Sequence, residues 1–378
     1  MQKVAGIVAE YNPFHRGHAY HIAETRRLLG DDCAVLCVMS GDFVQRGDVA
    51  VFDKFARAEM AVRGGADLVL ELPLRWSLSP AEVFAHGAVS LLESTGVVTH
   101  LSFGSECGDV NRLLAAVDAQ HTPAFLEAFN LALASGVSYP RAQELAARRA
   151  APEIAELLTQ PNDTLALMYL QALWALDSEI IPVAVPRVGA GHDAAGESDY
   201  PSASRLRERL RAGERVSEWV PHLPEAQPVF LDDLEIAILS RLRMLPKEAF
   251  AALPDCSEGL ENVLYKAVHS AASLDEILAA AKSKRYPMSR LRRMLLCAAL
   301  GVRRDVQSPY LRVLAANEQG RALLHTMRET ATIPVITKPA AARENAEFRL
   351  TADAHDLYVL AQPDKTPGQD WRHTPAML

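Results

Sequence analysis

Two imidazoles around a glycine, His15-Arg16-Gly17-His18, follow Glu10-Tyr11-Asn12-Pro13-Phe14 near the start of this chain. The apolar run Val4–Val8 before them has strand length. The pattern Ala19, Ile22, Ala23, Leu29 after them predicts a helix that stops at Gly30. On such a strand-to-helix turn, free N–H groups at the helix start and the positive end of its dipole attract phosphate. Gly17 lets a nucleotide approach the backbone, and the imidazoles can hydrogen-bond phosphate oxygens as charge builds on them. The chemistry this suits is attack on the α-phosphate of ATP. Two plainer readings compete. Histidines near a helix start are often caps or solvated groups, and His15, His18 and His21 have a spacing that suggests metal, although Pro13 keeps His15 off the regular helix.

Three further polar strings have chemical potential. Ser40-Gly41-Asp42-Phe43-Val44-Gln45-Arg46-Gly47 places Asp42 and Arg46 in a glycine-flanked loop, with Asp53 as a natural cap for the next helix. Pro161-Asn162-Asp163-Thr164 opens another helix. There Asp163 or Thr164 reads as a cap, and the Asn162 amide could recognise an adenine edge or a ribose hydroxyl. In Ser202-Ala203-Ser204-Arg205-Leu206-Arg207, Ser202 and Ser204 with helix N–H groups could hold the β- and γ-phosphates while Arg207 offsets their charge. Farther on, Lys284, Arg285, Arg290, Arg292 and Arg293 belong to a run without an acidic residue from Lys282 to Arg304. Such a run is usually a solvated helix face, but with Tyr286 inside it in an acidic protein it also fits an RNA phosphate-tracking surface.

Elements that would position these residues alternate along the first part. Strands are expected at Val4–Val8, Ala34–Met39, Leu68–Leu72, His100–Phe103 and Ile181–Val185, with helices at His18–Leu29, Lys54–Arg63 and Ala81–Glu93 between them. That order implies an α/β fold with a parallel sheet, whose ligands bind beyond the carboxyl ends of the strands. A helical insertion is expected over 111–176 and a domain boundary near 222, followed by a mainly α-helical part from 223 to 378. A length of 378 residues favours two domains, and 49% apolar residues supply a sizeable core. No apolar run approaches membrane-spanning length, and five scattered cysteines form no Cys-x-x-Cys pair, so a soluble cytoplasmic protein with reduced thiols is expected. A net charge of −8 argues against a general nucleic-acid coat, while leaving room for a local basic patch.

The chain resembles the bacterial tRNA(Met) cytidine acetate ligase family, within the nucleotidyltransferase-like branch of Rossmann-type folds. The resemblance is carried by Gly6–His18, Met39–Gly47, Phe103–Glu106, Pro161–Asp163, Glu258–Asn262 and Lys284–Tyr286. It implies that acetate attacks the α-phosphate of ATP, giving acetyladenylate and pyrophosphate. The N4 amine of the wobble cytidine in elongator tRNA(Met) then takes the acetyl group, giving N4-acetylcytidine and AMP. It also implies that ATP lies along Ile7, Val8, Ala9, Glu10, Tyr11, Asn12, Pro13, Phe14, His15, Arg16, Gly17, His18, Ala19 and Tyr20, and meets Gly104, Asn162 and Arg187. His18, assisted by His15, is expected to stabilise the pentacoordinate phosphorus, and Asp42 is the candidate base for the amine. Mg2+ is expected to accompany ATP, with no protein metal site, no DNA and no membrane partner. The chain departs from the family pattern at Ser204, where Thr is common, at Tyr200-Pro201, where Ile-Ala is common, and around Gly191-His192-Asp193. Adenylation of a small cofactor precursor, or a catalytically idle RNA-binding protein, are the rival readings. The first would not need the basic run, and intact His15, Gly17 and His18 weigh against the second.

Overall fold

The computed structural model describes residues 2–187, 200–257, 259–283, 286–304 and 309–378. The loop around Gly191-His192-Asp193, together with Glu258, Lys284 and Arg285, lies outside the described residues. The five expected strands form: β1 (Val4–Ala9), β2 (Ala34–Ser40), β5 (Leu68–Leu72), β6 (His100–Ser105) and β7 (Ile181–Pro186). Between β2 and β5 the chain adds a small antiparallel hairpin, β3 (Phe43–Val44) and β4 (Asp48–Val49). The main sheet runs in the order β5-β2-β1-β6-β7, all parallel, with Val8 opposite Val38 and Gly104 opposite Val185. The order reverses at β1, so the crevice between the carboxyl ends of β1 and β6 is the ligand-binding edge of such a sheet.

Near-continuous apolar runs explain the central position of β2 and β5, since strands covered on both faces have no polar side to show. One face packs against the helices Ala81–Ser94 and Pro161–Ala175. The opposite face packs against helix α1 (Arg16–Leu29) and helix α2 (Lys54–Arg63), through Ile22, Phe55, Ala58 and Val62. The insertion is helical as expected, with helices Val110–Gln120, Pro123–Ala134 and Tyr139–Ala150 before Pro161–Ala175. No described helix is long and apolar enough to cross a membrane.

The part after residue 223 differs from one continuous helical unit. Helices from Glu235–Met244 to Met288–Leu300 do enclose an apolar core of their own, built on Ile238, Leu242, Leu264, Ile277, Leu291 and Met294. The chain then returns to the sheet. Strand β8 (Leu311–Ala316) lies antiparallel to β5, and β9 (Val335–Ile336) and β10 (Ala376–Met377) pair with β8, completing eight strands. Burial explains the return. β8 is buried along its whole length, and its one charge, Arg312, is neutralised by Asp370 at 2.8 Å.

Candidate active site

The turn after β1 is fixed from below. Phe14 is fully buried and occupies the space a side chain at position 64 would fill, 2.3 Å from the ideal Cβ of Gly64. Tyr11 reaches Cys37 Sγ at 3.3 Å, and the Asn12 side chain accepts from Val51 N–H at 2.9 Å and donates to the Val49 carbonyl at 3.3 Å. Ile7, Tyr11, Asn12 and Phe14 therefore spend their side chains on the scaffold. The backbone and the imidazoles of the turn are not used up in this way.

His15 caps α1. Its Nδ1 accepts from Gly17 N–H at 3.0 Å, while its own N–H donates to His18 Nδ1 at 3.2 Å. The two rings stack with centroids 3.8 Å apart. Gly17 is needed first for this cap, since an ideal Cβ there would lie 2.9 Å from His15 Cε1. Because both Nδ1 atoms accept, the ring proton of each neutral imidazole sits on Nε2. Burial, with Arg187 and Arg207 nearby, lowers His15 to about 4. Burial, with His15, His21 and Arg187, holds His18 well below the usual histidine range. Both are thus neutral donors near pH 7, each with an Nε2–H to offer. His21 turns away and bonds Ser102 Oγ at 2.9 Å, so the three histidines do not converge as metal ligands. No cluster of three or more metal-ligating side chains occurs among the described residues.

The other expected residues converge in part. Arg207 donates to the Asn12 carbonyl at 2.9 Å and to Ser204 Oγ at 3.1 Å, which joins the helix Ala203–Arg211 to the histidine turn. Ser202 caps that helix, accepting from Arg205 N–H at 3.3 Å. Arg187, just after β7, donates to Asn162 Oδ1 at 3.1 Å and packs beside Gly104, and Asn162 in turn donates to Glu106. Asp163 accepts from Ser105 Oγ and from Glu106 N–H, fixing the end of β6, while Gln160 holds the cap position of its own helix. Arg16 is exposed at the helix start, and Tyr20 lies against Tyr200.

Asp42 requires correction. It is buried, with Oδ1 accepting from Lys54 N–H and Oδ2 2.8 Å from His355 Nδ1. Burial works against its charge, but His355, Lys54 and Arg57 outweigh that and hold its carboxyl well below the usual carboxylate range. A carboxylate so committed is a poor proton acceptor; it braces the loop. The basic run requires a second correction. Arg290 lies 3.2 Å and Arg293 3.7 Å from Asp255, and Arg293 also donates to the Gln45 carbonyl at 3.4 Å. Arg292 packs its stem against Gly47, whose φ of +74° and missing side chain allow the approach. The helix Met288–Leu300 is therefore docked on the Ser40–Gly47 loop rather than presenting a free row of guanidinium groups. Sequence reasoning missed Arg57, which is fully buried and donates to the Glu10, Ser40, Gly41 and Phe52 carbonyls, clamping the ends of β1 and β2 together. Its only signal was an arginine on the apolar face of a predicted helix.

A parallel sheet with a reversal at β1, capped by a His-x-Gly-His turn, defines a nucleotidyltransferase. The family model described as HIGH Nucleotidyl Transferase matches residues 1–372. Relatives named tRNA(Met) cytidine acetate ligase include one from Clostridium kluyveri, 36% identical with 100% of this chain and 99% of the relative covered. Another, from Clostridium perfringens, is 33% identical with 99% of each covered. The chain belongs to the tRNA(Met) cytidine acetate ligase family. Among solved structures, Thermotoga maritima TmcAL bound with alpha-thio ATP is 30% identical with a TM-score of 0.89, and its apo form is 32% identical with a TM-score of 0.91. Both cover 100% of each chain.

Proposed function

We infer that this chain is an ATP-dependent ligase that acetylates the N4 amine of a cytidine in tRNA(Met). Acetate is a weak nucleophile approaching an anionic phosphate, so positioning and charge neutralisation are the protein's main tasks. The observation that carries the reading is the stacked pair His15 and His18, neutral and tautomerically fixed, with Arg187 and Arg207 beside them. Nε2–H of His18, assisted by that of His15, donates to the α-phosphate oxygen that gains charge as phosphorus becomes pentacoordinate. Arg207, with Ser202 and Ser204, takes the β- and γ-phosphates, and Gly104, Asn162 and Arg187 hold the nucleoside end. Mg2+ accompanies the triphosphate. Such an ion keeps few protein ligands and relies on phosphate oxygens and water.

Acetyladenylate then passes its acetyl group to the wobble cytidine of elongator tRNA(Met) in the cytoplasm. The tRNA approaches across the Ser40–Gly47 loop and the edge of the helix Met288–Leu300 that rests on it, with Lys284 and Arg285 in the segment leading to that helix. Exchange of labelled pyrophosphate into ATP that requires acetate, with N4-acetylcytidine formed in tRNA(Met), is the expected result. Exchange that ignores acetate but responds to a cofactor precursor would replace this reading with small-molecule adenylation, and acetylation from acetyl-CoA without ATP would overturn it.

A further inference from the structure

With Asp42 committed to His355, the acetyl-transfer step needs another proton acceptor, and the imidazoles cannot serve. Their Nδ1 atoms are occupied and Nε2 carries the proton. Glu106 is taken on both oxygens, by Asn162 and by Asp163 N–H, and Asp163 is taken by Ser105 and the 106–107 backbone. Glu10 differs. It follows the carboxyl end of β1, partly exposed, with Oε1 accepting from Gln45 N–H at 2.8 Å. Among the described residues nothing donates to its Oε2.

We propose that Glu10 is the general base of the second step, its free Oε2 taking the proton from the cytidine amine. This rests on the ligase reading above. The N4 nitrogen forms a bond to the acetyl carbon, and the bond from that carbon to the phosphate oxygen breaks. AMP leaves with the electron pair, and the amine proton passes to Glu10 and then to water. The surroundings suit the task. Arg46 from the loop, Arg57 from α2, Arg207 from the helix Ala203–Arg211 and the Tyr169 side chain from Pro161–Ala175 face the carboxyl. Burial raises its affinity for a proton, and the Gln45 N–H and the three arginines only partly oppose this. A carboxylate with raised affinity is a better base than an ordinary one.

The test uses the whole protein, ATP, acetate and tRNA(Met). Acetate-dependent pyrophosphate exchange reads the first step, and single-turnover transfer from preformed acetyladenylate, followed as N4-acetylcytidine, reads the second. Glu10→Gln keeps the acceptor for Gln45 N–H, so the loop stays held. Its transfer is expected to fall about a hundredfold or more beyond any fall in exchange, the usual worth of a general base. The acidic limb of the transfer pH profile should vanish in Glu10→Gln and persist, shifted, in Glu10→Asp. Transfer at the parent rate, or equal losses in both steps, would overturn the assignment. Absence of acetate-dependent exchange in the parent protein would instead sink the ligase reading and this proposal with it.

Discussion

Two histidine environments at the carboxyl edge of one sheet are pushed in opposite directions. Burial also lowers His355, but the Asp42 carboxylate 2.8 Å away more than offsets it and leaves the imidazole raised. Around that pair Lys54 bridges Glu71 and Asp370, and Arg312 also meets Asp370, so each charge in this fully interior cluster has an opposite neighbour. His15 and His18 meet arginines and each other, with no carboxylate pairing, and stay neutral. The interior cluster has more ionisable groups than the histidine turn, and some of its polar atoms (Glu71 Oε2, Arg312 Nε and His355 Nε2 among them) also lack a hydrogen-bond partner, but it is sealed from solvent. What distinguishes the reactive turn is not density of charge but access: His15 and His18 are only half-buried, so a ligand can reach their donors.

The comparison breaks most heavily at Asp42. Asp42→Asn leaves a buried cation beside a group that cannot neutralise it, which should cost about 3–5 kcal/mol in urea unfolding. Asp42 has a lowered folded value, so its contribution is lost as pH falls toward that value from the ordinary carboxylate range, whereas His355, being raised, loses its contribution as pH rises through its folded value. Unchanged stability in the variant would mean that the pair is not ionic.

His18→Ala should lower acetate-dependent pyrophosphate exchange by about a hundredfold or more, with little change in the unfolding midpoint. A near-parent rate would remove His18 from the mechanism. His15 adds a pH test. Its unfolded imidazole binds a proton below about 6.5, but its folded ring does so only near 4, so stability drains away as pH falls through that window. The exchange rate should meanwhile show no histidine inflection near neutral pH. An inflection at 6 to 7 on the scale of free imidazole would show that the turn is open to water and not held as described.

The smallest effect is expected at Arg290. Its pairing with Asp255 predicts that Arg290→Gln changes the salt dependence of tRNA binding by well under one unit of slope, where a direct phosphate contact would remove about 0.9. A loss near that full value would show the guanidinium reaching RNA.

Much of this was legible in the residues. Four of the five alternating strands came with an apolar run, His100–Phe103 with an alternating one, and the histidine turn showed its strand and helix on either side. The β8 strand was hidden because Arg312 interrupts its apolar run, and its partner Asp370 lies 58 residues away. Asp42 misled for a similar reason. A polar loop residue beside a ligand edge looks available until a histidine 313 positions later occupies it. The basic run misled because charge counted along a chain does not report the acid, Asp255, that folds against it.

The antiparallel placement of β8 also has a consequence for how the molecule comes into being. The sheet's first strand lies in its middle, whereas β5 keeps an open edge until residues 311–316 leave the ribosome. An open apolar edge invites pairing with another chain. During synthesis, then, the nascent polypeptide carries a nearly finished nucleotide-binding half with one unsealed side. Its closure waits until the helices 235–300 have been made and β8 follows them, so the interval between β5 and β8 is when a chaperone would matter most.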